Sequence, residues 1–333
     1  MTQNEIDNLV RYDPSSDAGH VESYFLKGNH PVEPVAWWLK FTIFQPDGRP
    51  EKATADVWAI VFDGKTHDHV AVKESYPVGS CELGRSKVGI RFGDSTFTTG
   101  LTRGGAKTGD NRIHWDLAFD PVGETFHHFP NEKLYQTKVP SSKALSPYPD
   151  TRFRGWIEAN GRRLDVSGWK GMQGHNWGSK HTDLYAWGHC SLWDSGEDDT
   201  FFEGFTGKLK LGPLWTPPVT RLFLRYRGKN YPMLSLKGTI SPGCRIETNR
   251  WTFDVEAKEY RLKGYMQSSK DDMVGLYYHN PKGPLTHCLN SKIAHCELTL
   301  TERGKKIVEL ASSHASALEV ATHDTDHGVK MRV

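Results

Sequence analysis

The stretch WWLKFTIFQPDGRPEKATADVWAIVFDG (37–64) decides the fold class. Two runs of aromatic and β-branched residues flank Gln45-Pro46-Asp47-Gly48, where Pro presets φ and Gly accepts a positive φ, so the pattern is a hairpin. RFRGWIEA (152–159) and RRLDVSGW (162–169) meet across Asn160-Gly161, the pair favoured in type I′ turns, and make a second hairpin. Further strand candidates are 69–76, 86–92, 112–119, 184–193, 201–211, 219–227, 250–257, 260–266 and 294–302. Strands at this spacing, separated by turns rather than helices, predict an all-β protein of sandwiches or barrels.

Other segments qualify that picture. Lys305 to Ala321 fits either a helix, with Ile307, Ala311, Ala315 and Leu318 on one face, or a final strand pair, and strands are preferred. The Pro- and Ser-rich segment 128–150 reads as a long crossing loop that walls or covers a pocket. GLTRGGAKTGD (100–110) reads as a mobile turn, because it matches no phosphate-binding loop. VWAIVFDG (57–64) and YAWGHCSLWD (185–194) echo each other, as two copies of one β unit would.

At 333 residues, two domains are expected, divided as 1–178 and 179–333. The formal charge of +2 and the absence of a basic block argue against nucleic acid or an anionic membrane as partner. The first residues hold no apolar signal core and no stretch approaches 18 apolar residues, so no transmembrane segment and a cytoplasmic location are expected. Five scattered cysteines without a C-x-x-C pair predict neither a disulfide framework nor a Cys-rich zinc site. The oligomeric state is not legible.

Five of the eleven tryptophans fall between Trp156 and Trp193, around GWKGMQGHNWGSKHTDLYAWGHC (168–190). In a strand from Asp183 onward, Asp183, Tyr185, Trp187 and His189 share one face and offer an acid, a phenol, an indole and an imidazole to one space. Such a face suits proton transfer to a substrate, with aromatic rings stabilising positive charge. It equally suits a buried Trp-rich joint whose polar atoms satisfy backbone groups. His175, His181, Asp183 and His189 match no zinc signature, so no metal is expected. No G-x-S-x-G elbow is present, and Cys190 and His189 point to opposite faces, so nucleophilic catalysis finds little support.

The run Gly171-Met172-Gln173-Gly174-His175-Asn176-Trp177-Gly178, followed by Tyr185-Ala186-Trp187-Gly188, resembles the signature of the hydroxyneurosporene synthase (carotenoid 1,2-hydratase), AttH-like and fungal Diels–Alderase group, to which tocopherol cyclases are more distantly related. The early segment HVESYFLKGNHPVEPVAWWLKFTIF is similar to that group's opening strands. The resemblance implies two lipocalin-like β domains with a pocket near their junction, and cofactor-free chemistry on a hydrophobic substrate. One departure matters: Gly174 stands where the group has an Asp, so Asp183, His175 or Asp116 would have to replace that acid.

The resulting expectation is a cofactor-independent lyase or isomerase, of hydratase or cyclase type, acting on an unsaturated terpenoid or polyketide. Asp183, His175 and Tyr185 are the catalytic candidates. Asn176, Trp177, Trp187, His189 and Trp115 are the substrate-binding ones. The alternative is a non-catalytic carrier of lipids or other hydrophobic ligands, which the change at Gly174 favours.

Overall fold

The computed structural model describes residues 1–129, 131, 133–137, 140–211, 213–233 and 243–333. Among these, a first sheet holds His20–Asn29 (β1), Val35–Gln45 (β2), Thr54–Asp63 (β3), Val70–Pro77 (β4), Glu82–Leu83 (β5), Gly89–Phe92 (β6) and Ser95–Thr98 (β7). It continues with Leu101–Thr108 (β8), Asn111–Phe119 (β9), Phe126–His127 (β10), Ser142–Ala159 (β11), Arg162–Asp165 (β12) and Trp169–Gly178 (β13). Leu184–Cys190 (β14) and Phe201–Lys208 (β15) open a second sheet, and Lys210–Leu211 (β16) and Leu214–Trp215 (β17) form a separate ribbon. The second sheet is completed by Val219–Tyr226 (β18), Lys229–Met233 (β19), Arg245–Glu247 (β20), Arg250–Ala257 (β21), Tyr260–Gln267 (β22), Val274–Tyr278 (β23), Thr286–Glu302 (β24) and Lys305–Thr322 (β25). Helix is confined to short pieces such as Gln3–Asp7 and Lys133–Gln136.

The two sheets share one topology. The first runs β4-β3-β2-β1-β13-β11-β9-β8-β7-β6-β5, and the second β19-β18-β15-β14-β25-β24-β22-β21-β20. In each, a four-stranded meander has its first strand paired to the sheet's last one. Each sheet is antiparallel and curls into a half-barrel over its own core. In the first, Lys73 on β4 reaches Thr108 on β8, whose Oγ1 accepts from the Lys73 N–H at 2.7 Å and donates to its carbonyl at 2.9 Å. The echo between 57–64 and 185–194 does not follow this symmetry, since 57–64 lies in β3 and 185–194 begins in β14, the counterpart of β1.

Both turns read from sequence form. Gly48 has φ +69°, and Asn160 and Gly161 have φ +50° and +86°, the signs a type I′ turn needs. Lys305–Thr322 is one long strand, not a helix, turned back on β24 through Arg303 (φ +48°) and Gly304 (φ +80°). Register shifts between Ser291 and Cys296 break the two-residue alternation in this hairpin, which is why its sequence admitted a helical period.

Two loop expectations are corrected. Residues 142–150 belong to β11, whose pairing to β13 shifts register on either side of Tyr148, so that Pro147 and Pro149 escape ladder positions. Residues 101–108 form β8, not a mobile turn. Gly104 is required there because a Cβ would lie 2.3 Å from Ser95 Oγ.

The first half-barrel closes over Trp37, Phe41, Phe92, Phe97, Trp115 and Phe153, and the second over Phe202, Trp251 and Phe253. A third apolar layer joins the sheets. Trp38, Trp58, Ile60 and Phe62 of the first pack on Val274, Leu276, Tyr278 and Ile293 of the second, while Phe25 and Met172 meet Trp187. All five cysteines are free thiols. Among the described residues no helix is long and apolar enough to cross a membrane.

Candidate active site

Strand alternation places Tyr185, Trp187 and His189 on the face of β14 that meets the first sheet, while Ala186 and Cys190 enter the second core. Burial, then the neighbouring Cys288 and Glu319, holds the Tyr185 phenol well above its ordinary range. His189 is fully buried and donates from Nε2 to the Pro149 carbonyl at 2.7 Å. Burial, then the nearby Lys27 ammonium, pushes it well below the usual imidazole range, so the ring stays neutral, and its Nδ1 has no partner among the described residues.

Beside it, β15 carries Glu203, which sequence reasoning missed. Its Oε1 accepts from Ser146 Oγ (2.7 Å), His128 Nε2 (3.0 Å) and Trp187 Nε1 (3.2 Å), whereas the buried Oε2 has no partner among the described residues. Ser146 and His128 come from the first half of the chain, so this carboxylate is clasped between the sheets.

A groove of about 840 Å³ opens next to this cluster. Asp120, residues 122–126, Pro149–Arg152 and Lys170 form one wall, and Asp198, Asp199, Phe201, Phe223 and Arg225 the other. Phe126 lies 4.7 Å from Phe223 and Phe201 lies 5.4 Å from Phe223, which gives the groove an aromatic floor that continues to His189. Asp150 sits in this wall. Burial raises its carboxyl to about 6, against the opposing pull of Lys170, Arg152 and Lys27. Lys27 is itself buried, is lowered to about 8 by desolvation, and donates to Asn29 Oδ1 at 2.7 Å. A carboxyl with this affinity both holds and releases a proton near neutral pH.

The remaining predicted residues are dispersed. His175 points into the first half-barrel, with Nδ1 on the Asp7 carbonyl (3.0 Å) and Nε2 on Glu22 (2.9 Å), so neither nitrogen is open to a substrate. Trp177 stays on that side, 4.8 Å from His175 and under the Arg11 guanidinium at 5.2 Å. Trp115 is a core residue of the first sheet and donates to Thr102 Oγ1 at 3.0 Å. Asn176 is half-buried, between them on β13 and on its opposite face. Asp183 precedes β14 in a bend, paired with Lys180 (3.1 Å) and His323 (3.5 Å), so it does not join the face of His189. Asp116 is engaged by Arg103 at 2.9 Å on the exposed surface. His181 stacks on Tyr278 at 5.1 Å, apart from His175 and His189. Among the described residues no three His, Cys, Asp or Glu side chains are grouped to hold a metal ion.

Gly174 lies on the inter-sheet face of β13, where a Cβ would come within 2.2 Å of the Phe25 ring. That ring packs edge-on against Trp187 at 5.6 Å. The space that a side chain at position 174 would take is therefore filled by an aromatic ring.

The fold is found in solved structures. An AttH (NE1406) structure from Nitrosomonas europaea aligns with a TM-score of 0.53 at 14% identity, covering 91% of this chain and 92% of that one. CghA with Sch210972 aligns at 0.52 and 11% identity, covering 91% and 88%. Kievitone hydratase from Nectria haematococca aligns at 0.52 and 10% identity, covering 92% and 89%. At these identities the likeness is one of fold, and it agrees with the AttH-like resemblance without singling out a carotenoid hydratase. No curated protein sequence matches the chain. The sequence model described as tocopherol cyclase-like matches residues 149–322, a span that begins beside Asp150, contains His189 and Glu203, and ends with β25. Because that match takes in more than half of the chain, the protein belongs to the tocopherol cyclase-like family.

Proposed function

We propose that the protein is a hydratase or cyclase that protonates a carbon–carbon double bond of a hydrophobic small molecule held in the inter-sheet groove, with Asp150 as the acid. The observation that carries this reading is a half-buried carboxyl raised to about 6 in the wall of an aromatic-floored groove. The family is named for a cyclase and one structural neighbour is a hydratase. Both reaction types can open with the same step. The Asp150 proton goes to one alkene carbon, and the cation forms on the other. Water, or a hydroxyl of the same substrate, adds to that cation and returns its proton to Asp150. The faces of Phe126, Phe201 and Phe223 stabilise the cation, and His189 stacks behind Phe201. These steps need protein groups alone. In this proposal the chain divides into domains at 1–178 and 179–333, and the groove runs between them.

Turnover of a prenylated hydroquinone in D₂O tests the proposal. The product should carry one carbon-bound deuterium, at unchanged connectivity mass for cyclisation or with one added water for hydration. Asp150→Asn should lose about a hundredfold or more in rate. Full activity in that variant would sink the assignment. The carrier reading rests on the Phe25 ring filling the place of the family's acid at Gly174, and it predicts unit-stoichiometry binding without any product.

A further inference from the structure

A second opening lies on the β2–β4 side of the joint and shares no lining residue with the groove. It is a cleft of about 250 Å³, walled by Phe44, Trp58, Lys73 and Asp56 of the first sheet and by His181, Tyr278 and His279 of the second half. At its base stands Lys40, only 4% exposed. Among the described residues its Nζ has no hydrogen-bond or ion-pair partner; it rests 3.7 Å from the centre of the Tyr278 ring and 5.8 Å from that of Trp38.

The nearby carboxylates each already hold a lysine, although the buried Oδ1 of Asp56 has no hydrogen-bond partner among the described residues. Asp56 pairs with Lys73 at 3.1 Å, and Glu319 with Lys292 at 2.7 Å. Lys52 adds a further cation at the rim. Burial lowers both His181, to about 3, and His279, so neither imidazole offsets or adds charge near neutral pH. The cleft therefore keeps an excess of positive charge. Ring faces attract a cation but cannot replace a hydrogen-bonded anion, and a buried ammonium without one is costly.

We infer that this cleft is a binding site for a small aromatic monocarboxylate, its carboxylate on Lys40 Nζ and its ring between Phe44, Trp58 and Tyr278. The carboxylate supplies the anion that the fold withholds from Lys40. The ring occupies the apolar walls on either side. This site is separate from the proton-transfer groove and stands whether or not Asp150 is an acid.

Isothermal titration of the full chain with benzoate, and in parallel with benzyl alcohol, tests the inference. Benzoate should bind one to one at millimolar concentration or below, with benzyl alcohol at least tenfold weaker. Lys40→Met, which keeps most of the side-chain volume, should bind benzoate at least tenfold more weakly. The Lys40 ε-carbon NMR resonance of the unaltered protein should also move on benzoate addition, a readout that needs no variant. Absence of benzoate binding, equal binding of the alcohol, unchanged affinity in Lys40→Met, or a stationary Lys40 resonance would each overturn the site.

Discussion

Glu22 and Glu203 are both fully buried carboxylates on strands near the start of a sheet, yet they are finished differently. Glu22 accepts from the backbone N–H of Arg11 (2.9 Å) and Tyr12 (2.8 Å), from the Tyr24 hydroxyl (2.7 Å), and from His175 (2.9 Å) and His20 (3.0 Å). Burial would raise this carboxyl, but the hydrogen bonds from His175 and His20 more than offset that, and it is held well below the usual range. Among the described residues Glu203 has three donors on one oxygen and none on the other, and it stands beside a neutral His189 whose Nδ1 is likewise unpartnered. A network with every lone pair occupied fixes structure. One left incomplete at the edge of a groove has capacity for a ligand. The H-N-W-G motif belongs to the first kind here, because its histidine ties β13 to β1 and to the N-terminal helix.

The sharpest way to break this contrast is Glu22→Leu. It orphans His175, the Tyr24 hydroxyl and two backbone N–H groups, and should cost about 3–5 kcal/mol, read as a fall in Tm of roughly 10 °C. Glu22 has a lowered folded-state value, so its contribution is complete above the ordinary Glu range near 4.5 and is lost as pH falls below it. Thermal melts at pH 7 and pH 3.5 should therefore differ more for the unaltered protein than for Glu22→Leu. The Asp150→Asn loss of about a hundredfold in turnover comes next, with folding retained. The smallest effect belongs to Asp183→Asn. Its carboxylate is occupied by Lys180 and His323 away from the groove, so turnover of the same prenylated hydroquinone should change by less than about twofold. A large loss in that variant would return the acid to the motif segment.

The sheets were legible in the sequence because each hairpin announces itself locally, as 37–64 and 152–169 do. The joint was legible only in part. Tyr185, Trp187 and His189 follow from two-residue alternation within one strand, a local property. Glu203 left a trace as the sole charge in the aromatic run FFEGFT. Asp150 left none, since its environment is made by Lys170, Phe201 and Phe223, remote in sequence, and by bulges that turn a Pro-rich segment into strand. The surroundings of His175 were not legible either, because an imidazole has the same letter whether it faces a pocket or a buried glutamate.

The most direct test of the central claim is a site-resolved NMR titration of the Asp150 carboxyl carbon in the unaltered protein, assigned by its loss in Asp150→Asn. The account predicts a midpoint near 6, well above the ordinary aspartate value of 3.8. A midpoint at or below 4 would mean a permanently charged carboxylate in the groove, and Asp150 could not be the proton donor.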